Sequence, residues 1–84
     1  MSESEKAWTV YIIEAENGFL YTGITKDLER RFSEHQSGPK GAKFFRRSPP
    51  KKIHYYCSGL THTEALQLEA QIKKLSRAEK LKLT

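Results

Sequence analysis

Cysteine is nearly missing from this chain: Cys57 is the only one in 84 residues. A lone cysteine excludes an internal disulfide framework and any cysteine-rich zinc site. Met1 to Lys6 is acidic and polar with no apolar run behind it. No secretory or membrane-spanning segment is therefore expected, and a cytoplasmic location is the default. Internal repeats and low-complexity segments are missing too. Acidic residues vanish altogether between His35 and Thr63.

What fills that acid-free stretch is basic: Lys40, Lys43, Arg46, Arg47, Lys51 and Lys52, with Phe44 and Phe45 among them. A second basic cluster follows in Lys73, Lys74, Arg77, Lys80 and Lys82, and the net charge is +5. Such surfaces attract polyanions through counterion release. The competing reading is a solvated face that only keeps the protein in solution. An anionic membrane fits less well, because no basic segment carries a clean apolar face. Eighty-four residues bury too little surface for two cores, so residues 1–84 are expected to form a single domain.

The remaining patterns define elements. Ala7 to Ile13 is rich in β-branched and aromatic residues and predicts a strand. Asn17-Gly18 predicts a two-residue type I′ hairpin turn. Phe19 to Thr22 returns as a second strand that Gly23 ends. Thr25 or Asp27 can cap a helix running to about Gln36, where Ser37-Gly38-Pro39 stops it. Gly38 to Lys52 reads as a basic loop with a short helical turn near Lys43 to Arg46. Ile53 to Cys57 reads as a third strand. Capping boxes at Thr61–Glu64 and Ser76–Glu79 open a helix to about Leu75 and a short final helix. The order β-β-α-β-α-α predicts an α+β domain with a small three-stranded antiparallel sheet flanked by helices.

Helical periodicity sorts the charged residues. At 100° per residue, Leu28, Phe32 and His35 share one face of the first helix, with Arg31 on its edge. Arg30 points almost opposite, into solvent. Arg31 can therefore serve a site, or it can snorkel toward a nearby carboxylate. On the second helix Ala65, Leu68, Ile72 and Leu75 form the buried stripe and Glu69 borders it. A carboxylate so placed either meets a cation or pairs with Lys73 at i+4 along the rim. Tyr11 and Tyr21 stand nearly symmetrically about the turn, as near-neighbours across the hairpin. Cross-strand packing is the plainer role for them.

Taken together these residues resemble the GIY-YIG nuclease superfamily. Its two name-giving motifs appear as Thr9-Val10-Tyr11 and Tyr21-Thr22-Gly23. Thr25 to Arg31, the Arg-x-x-x-His step to His35, the Gly41-Ala42-Lys43 turn and Glu69 follow. The resemblance covers about residues 8–75 and is greatest to small stand-alone bacterial members and to the nuclease module of structure-selective repair endonucleases. Thr9-Val10 and Thr22 depart from the motif at backbone-packing positions. No second domain for sequence-specific DNA binding is apparent.

The resemblance implies a metal-dependent endonuclease that hydrolyses phosphodiester bonds in DNA, in repair or in processing irregular DNA structures. Glu69 would hold one divalent metal, Mg²⁺ or Mn²⁺, and Arg31 would stabilise transition-state charge. Tyr11 would be the base-side residue with Tyr21 its partner, and His35 would orient a tyrosine or a phosphate. Lys43 would join that cluster, and Gly23 would allow close backbone approach. Lys40, Lys43, Arg46, Arg47, Lys51 and Lys52 would contact phosphates. Phe44 or Phe45 would stack on an unpaired base or anchor the loop in the core. DNA is the expected partner, with a protein partner or a homodimer as the expected means of engaging it. The alternative is a catalytically silent nucleic-acid-binding module; a purely structural domain leaves the five site residues unexplained. Gly38 to Lys43 is not a P-loop, since the spacing and the residue after the lysine are wrong. His54 and His62 lack metal-ligand spacing, and Cys57 reads as a small buried hydrophobe.

Overall fold

A run such as Val10-Tyr11-Ile12-Ile13 can be buried on both sides only in the middle of a sheet that is covered twice. The computed structural model describes residues 6–37 and 41–83, and places that run there. Strand β1 (Trp8–Ala15) pairs antiparallel with β2 (Leu20–Thr25) on one side and with β3 (Pro50–Leu60) on the other, in the order β2-β1-β3. All four side chains of the run are at most 1% exposed. Burial of each contributes roughly 1.5–3 kcal/mol relative to leaving it in water.

The alternation of β1 assigns one set of side chains to each face. Val10 and Ile12 meet Ala65 and Ile72 of α3 (His62–Lys73). Tyr11, Ile13 and Ala15 meet Phe45 of α2 (Phe44–Arg47), with Leu28 and Phe32 of α1 (Leu28–Ser37) packed alongside. A last helix, α4 (Arg77–Leu81), closes the chain. The α+β class and the flanked three-stranded sheet are as expected, with the short helical turn realised as α2. Phe45 is 5% exposed and Phe44 packs with it, so the aromatic pair anchors the basic segment rather than standing free for stacking.

Local chemistry explains most element ends. Asp27 caps α1, its Oδ1 accepting from the Arg30 N–H at 3.1 Å, while Thr25 Oγ1 accepts from the Asp27 N–H and holds the preceding turn. Both capping boxes form, at Thr61–Glu64 and at Ser76–Glu79.

Four details differ from expectation. The hairpin loop has three residues, not two: the Ala15 N–H donates to the Phe19 carbonyl at 2.8 Å, and the Gly18 N–H to the Ala15 carbonyl at 2.9 Å. Gly18 takes the positive φ of 89°, whereas Asn17 keeps a negative φ and accepts from the Phe19 N–H through its side chain. This is a type I turn with a left-handed glycine, whose geometry also suits twisted strands. Gly23 lies inside β2 rather than ending it. The third strand is more than twice the predicted length because β1 pairs with it along its whole run, through three register shifts. Pro50, at its first residue, costs the ladder nothing there. Helix α3 ends at Lys73, two residues short of Leu75. One buried polar atom, Thr22 Oγ1, has no hydrogen-bond partner among the described residues.

Candidate active site

The site grows out of one close approach. The Tyr11 ring lies across Gly23, its cross-strand partner in β2. A Cβ on Gly23 would stand 2.6 Å from Tyr11 Oη and 2.8 Å from its Cζ, so only glycine leaves room for the ring. Tyr21, two residues back along β2, is diagonal to Tyr11 with ring centroids 6.3 Å apart. The expected near-neighbour relation of the two tyrosines is therefore present, and the Tyr11 ring lies directly against the Gly23 backbone.

Helix α1 delivers His35 to the same spot. His35 is 2% exposed, with Phe45 4.5 Å and Tyr21 5.5 Å from its ring. Its Nδ1 accepts from the Ala42 backbone N–H at 3.1 Å. Ala42 can reach it because Gly41 sits directly on α1, where a Cβ would be 2.6 Å from His35 Cα. A backbone N–H can only donate, so Nδ1 carries no proton. The neutral ring then holds its proton on Nε2 and donates it to Tyr11 Oη, 3.1 Å away.

Neutrality is enforced by the surroundings. Burial, then the positive charge of Arg31, push the His35 pKa down from 6.5 to about 4. The linkage sign follows directly. An unfolded histidine near 6.5 binds protons that the folded one refuses, so this contribution is complete above pH 6.5 and lost as pH falls toward 4. Urea unfolding should therefore show stability falling by up to about 3 kcal/mol across that window. The slope between pH 6.5 and 4.5 should flatten in His35→Gln.

Tyr11 is shifted the other way, up to about 12. Burial is the main cause, opposed by the hydrogen bond from Arg31 and reinforced by the charges of Tyr21 and Glu69. Arg31 is the half-buried member of the arginine pair. Its side chain is 30% exposed against 71% for Arg30. Both arginines converge on Glu34: Arg31 Nη1 reaches Oε1 at 2.9 Å and Arg30 Nε reaches Oε2 at 3.2 Å. Arg31, chiefly, holds the Glu34 carboxyl below the ordinary range. An open cleft of about 290 Å³, lined by Thr25, Lys26, Asp27, Arg30, Arg31 and Glu34, adjoins the arginine pair.

Glu69 comes from α3, on the other layer, yet its charge reaches Tyr11. Its half-buried carboxylate is paired with Lys73 at 3.2 Å, so the rim pairing foreseen at i+4 is present. Tyr11, Tyr21, Arg31 and His35 thus form one cluster, with Glu69 within electrostatic range. Lys43, Arg46, Arg47, Lys51 and Lys52 are exposed on α2 and the start of β3, and Lys52 lies 3.8 Å from Glu14. Lys40 falls outside the described residues. His54 is occupied by the Lys80 carbonyl and His62 stacks on Trp8 at 4.5 Å, so neither joins the site. Sequence reasoning missed Glu34 and the Ala42 amide. Glu34 at i+3 from Arg31 and i+4 from Arg30 was a readable signal; a backbone amide leaves none.

Comparison with known proteins agrees with this geometry. The family model described as the GIY-YIG catalytic domain matches residues 7–82. A UPF0213 protein of Serratia liquefaciens is 40% identical over 99% of this chain and 80% of its own length. A UPF0213 protein of Pseudomonas aeruginosa is 46% identical over 93% of this chain and 74% of its own. Two solution NMR structures have the same fold. A UPF0213 protein from Bacillus halodurans superposes with a TM-score of 0.53 at 40% identity, covering 87% of this chain and 77% of that one. A protein from E. faecalis superposes with a TM-score of 0.61 at 33% identity, covering 95% and 84%. With the motif residues converging on one phenol and the match spanning nearly the whole sequence, the chain belongs to the GIY-YIG family of nuclease domains, in its UPF0213 group.

Proposed function

We propose that this protein is a metal-dependent endonuclease that hydrolyses phosphodiester bonds in DNA, in repair or in processing irregular DNA structures. One observation carries the reading: the phenol of Tyr11 is held between the His35 Nε2–H and the Arg31 guanidinium, directly over Gly23. A tyrosine that served only packing would not need two polar groups fixed on its oxygen.

The chain's own residues divide the work. Phosphodiester hydrolysis needs its barrier lowered by roughly 20 kcal/mol or more, which no single group supplies. Arg31, half-exposed beside an open cleft, binds the scissile phosphate and stabilises charge on its oxygens as the bond order changes. His35, locked in one tautomer, orients Tyr11 and stays uncharged while doing so. Tyr11 is the base-side residue. With a pKa of about 12 it is a phenol at rest, and at pH 7 about one molecule in 10⁵ carries the phenolate. His35 and Arg31 both favour the ionised oxygen, but burial outweighs them in the free protein. Tyr21 buttresses the Tyr11 ring.

A divalent cation is the remaining component, and the donor set fits a hard one. Among the described residues no three His, Cys, Asp or Glu side chains cluster, so Glu69 would hold the ion alone. A single carboxylate suits Mg²⁺ or Mn²⁺, which keep most of their waters, and not zinc. When bound, such an ion polarises the scissile phosphate, eases departure of the 3′ oxygen and adds the positive charge that the Tyr11 phenolate lacks. Lys43, Arg46, Arg47, Lys51 and Lys52, with Lys40, supply phosphate contacts around the site.

The Lys73 ammonium on Glu69 is the observation that favours the other reading, a catalytically silent binding module. A cleavage assay separates the two. Labelled single-stranded, duplex and branched DNA should be cut with Mg²⁺ or Mn²⁺, not with EDTA, and the products should vanish in Glu69→Gln while its thermal melt stays in place. Salt-dependent binding without products under any metal would establish the silent module instead.

A further inference from the structure

Phe19 is the feature that the site just described leaves unused. It is 60% exposed at the hairpin tip, matched among the large hydrophobic side chains of the described residues only by Tyr56. It is also not isolated. With Leu20, Phe44, Arg77 and Lys80 it lines a cleft of about 310 Å³, at the lower end of the range for ligand clefts. Phe19 stands one residue before β2, and only Leu20 separates it from Tyr21. Phe44 links the cleft to the site, its ring 5.3 Å from that of Tyr21. Arg77 closes the far wall. Its Nη2 donates to the Gly18 carbonyl at 2.8 Å and ties α4 to the hairpin tip. That bond uses one of the five guanidinium N–H groups and leaves the cation in the cleft wall.

An aromatic face beside two cations suits one kind of ligand: a planar, π-faced group attached to an anion. A nucleotide has both parts. Resting on the nuclease reading above, the geometry points to this cleft as a subsite for one unpaired base of the DNA strand. The base stacks on Phe19 against Phe44, and the adjoining phosphate lies toward Arg77 and Lys80. A base in a duplex has both faces covered by its neighbours and its edge paired, so it cannot enter. The cleft therefore selects DNA that is single-stranded, or opened, within about a nucleotide or two of the Tyr21–Tyr11 pair. Of the two aromatics that the sequence put forward for stacking, Phe44 forms a wall of this cleft, while Phe45 is buried in the core.

The test uses the intact protein with EDTA present, so that no strand is cut. The probe is a single-stranded oligonucleotide carrying 2-aminopurine, compared with the same strand fully paired. Wild type should quench the fluorescence of the unpaired probe. Phe19→Ala should lose the quenching and bind the single strand about tenfold more weakly, with duplex affinity within twofold of wild type. Phe19→Tyr should restore both, and unchanged circular dichroism will show that the exposed substitution leaves the fold intact. Phe19→Ala that binds and quenches like wild type would overturn the subsite, as would an equal loss on single strand and duplex. Mg²⁺-dependent cleavage by wild type, recorded in parallel, separates the two failures. Cleavage without any Phe19 effect removes the subsite alone, whereas neither binding nor cleavage removes the nuclease reading and the subsite with it.

Discussion

Arg31→Ala is expected to lower the cleavage rate by at least about 10³-fold, whereas the adjacent Arg30→Ala should stay within a few-fold of wild type. The two side chains are the same, share the carboxylate of Glu34 and differ by one position on one helix. What separates them is direction. Arg30 is 71% exposed and its contacts are with solvent and Glu34, while Arg31 turns inward to the Tyr11 phenol. An arginine that stabilises charge in the phosphoryl transition state is worth about 10³–10⁵ in rate. A surface cation that contributes only long-range attraction is worth much less and is screened by salt. Single-turnover rates for the two variants, at two salt concentrations, make the comparison. The Arg30→Ala deficit should shrink as salt rises; the Arg31→Ala deficit should not. Neither change should shift the melting temperature by more than a few degrees, because exposed and half-exposed ion pairs contribute little to stability. Equal losses from the two would contradict the division of the helix into a catalytic edge and a solvent side.

Gly23→Ala is the second large effect expected. The added methyl group would lie 2.6 Å from Tyr11 Oη, 2.8 Å from Tyr11 Cζ and 3.2 Å from Tyr21 Cε2. Tyr11 cannot simply rotate away, since it is 1% exposed, packed against the core and bonded to His35. The ring has to shift by a fraction of an ångström to an ångström, and a misplacement of that size costs about 10²-fold in rate. Overpacking of this kind also destabilises by roughly 1–3 kcal/mol. A double-mutant cycle tests the route of the effect. If the methyl group acts by displacing the phenol oxygen, Gly23→Ala should add little to the rate loss already caused by Tyr11→Phe. Full additivity would mean that Gly23 matters through something other than Tyr11.

Both predictions draw on features of unequal visibility in the sequence. The inward turn of Arg31 follows from helical periodicity, which needs only Leu28, Phe32 and His35 to define the buried face. The capping boxes at Thr61 and Ser76 were equally legible, because a cap is a local exchange of hydrogen bonds between residues three apart. The extent of β3 was not. Its ends are set by pairing with β1, roughly 40 residues away in the chain, and nothing local to Pro50 or Leu60 announces a partner. The loop at Asn17-Gly18 failed for the opposite reason: two turns share the same residues, and strand register rather than composition selects between them. Glu69 was singled out by its place beside the buried stripe of α3. That its charge reaches a tyrosine buried in the opposite layer could not be read from one helix.

The position of β1 has a further consequence. It is paired with neighbours on both sides, while among the described residues β2 and β3 each keep one unpaired edge. Opening of the native state by fraying starts at edges and termini, and a doubly paired central strand is released only with the whole cooperative unit. The hydroxyl of Tyr11 is therefore mounted on the backbone expected to exchange slowest, and Lys43, Arg46, Arg47, Lys51 and Lys52 on a periphery expected to exchange faster. Heating should loosen the grip on nucleic acid before it disturbs the reacting centre. Losses of activity below the melting transition will then appear in KM, with kcat holding until the sheet itself gives way.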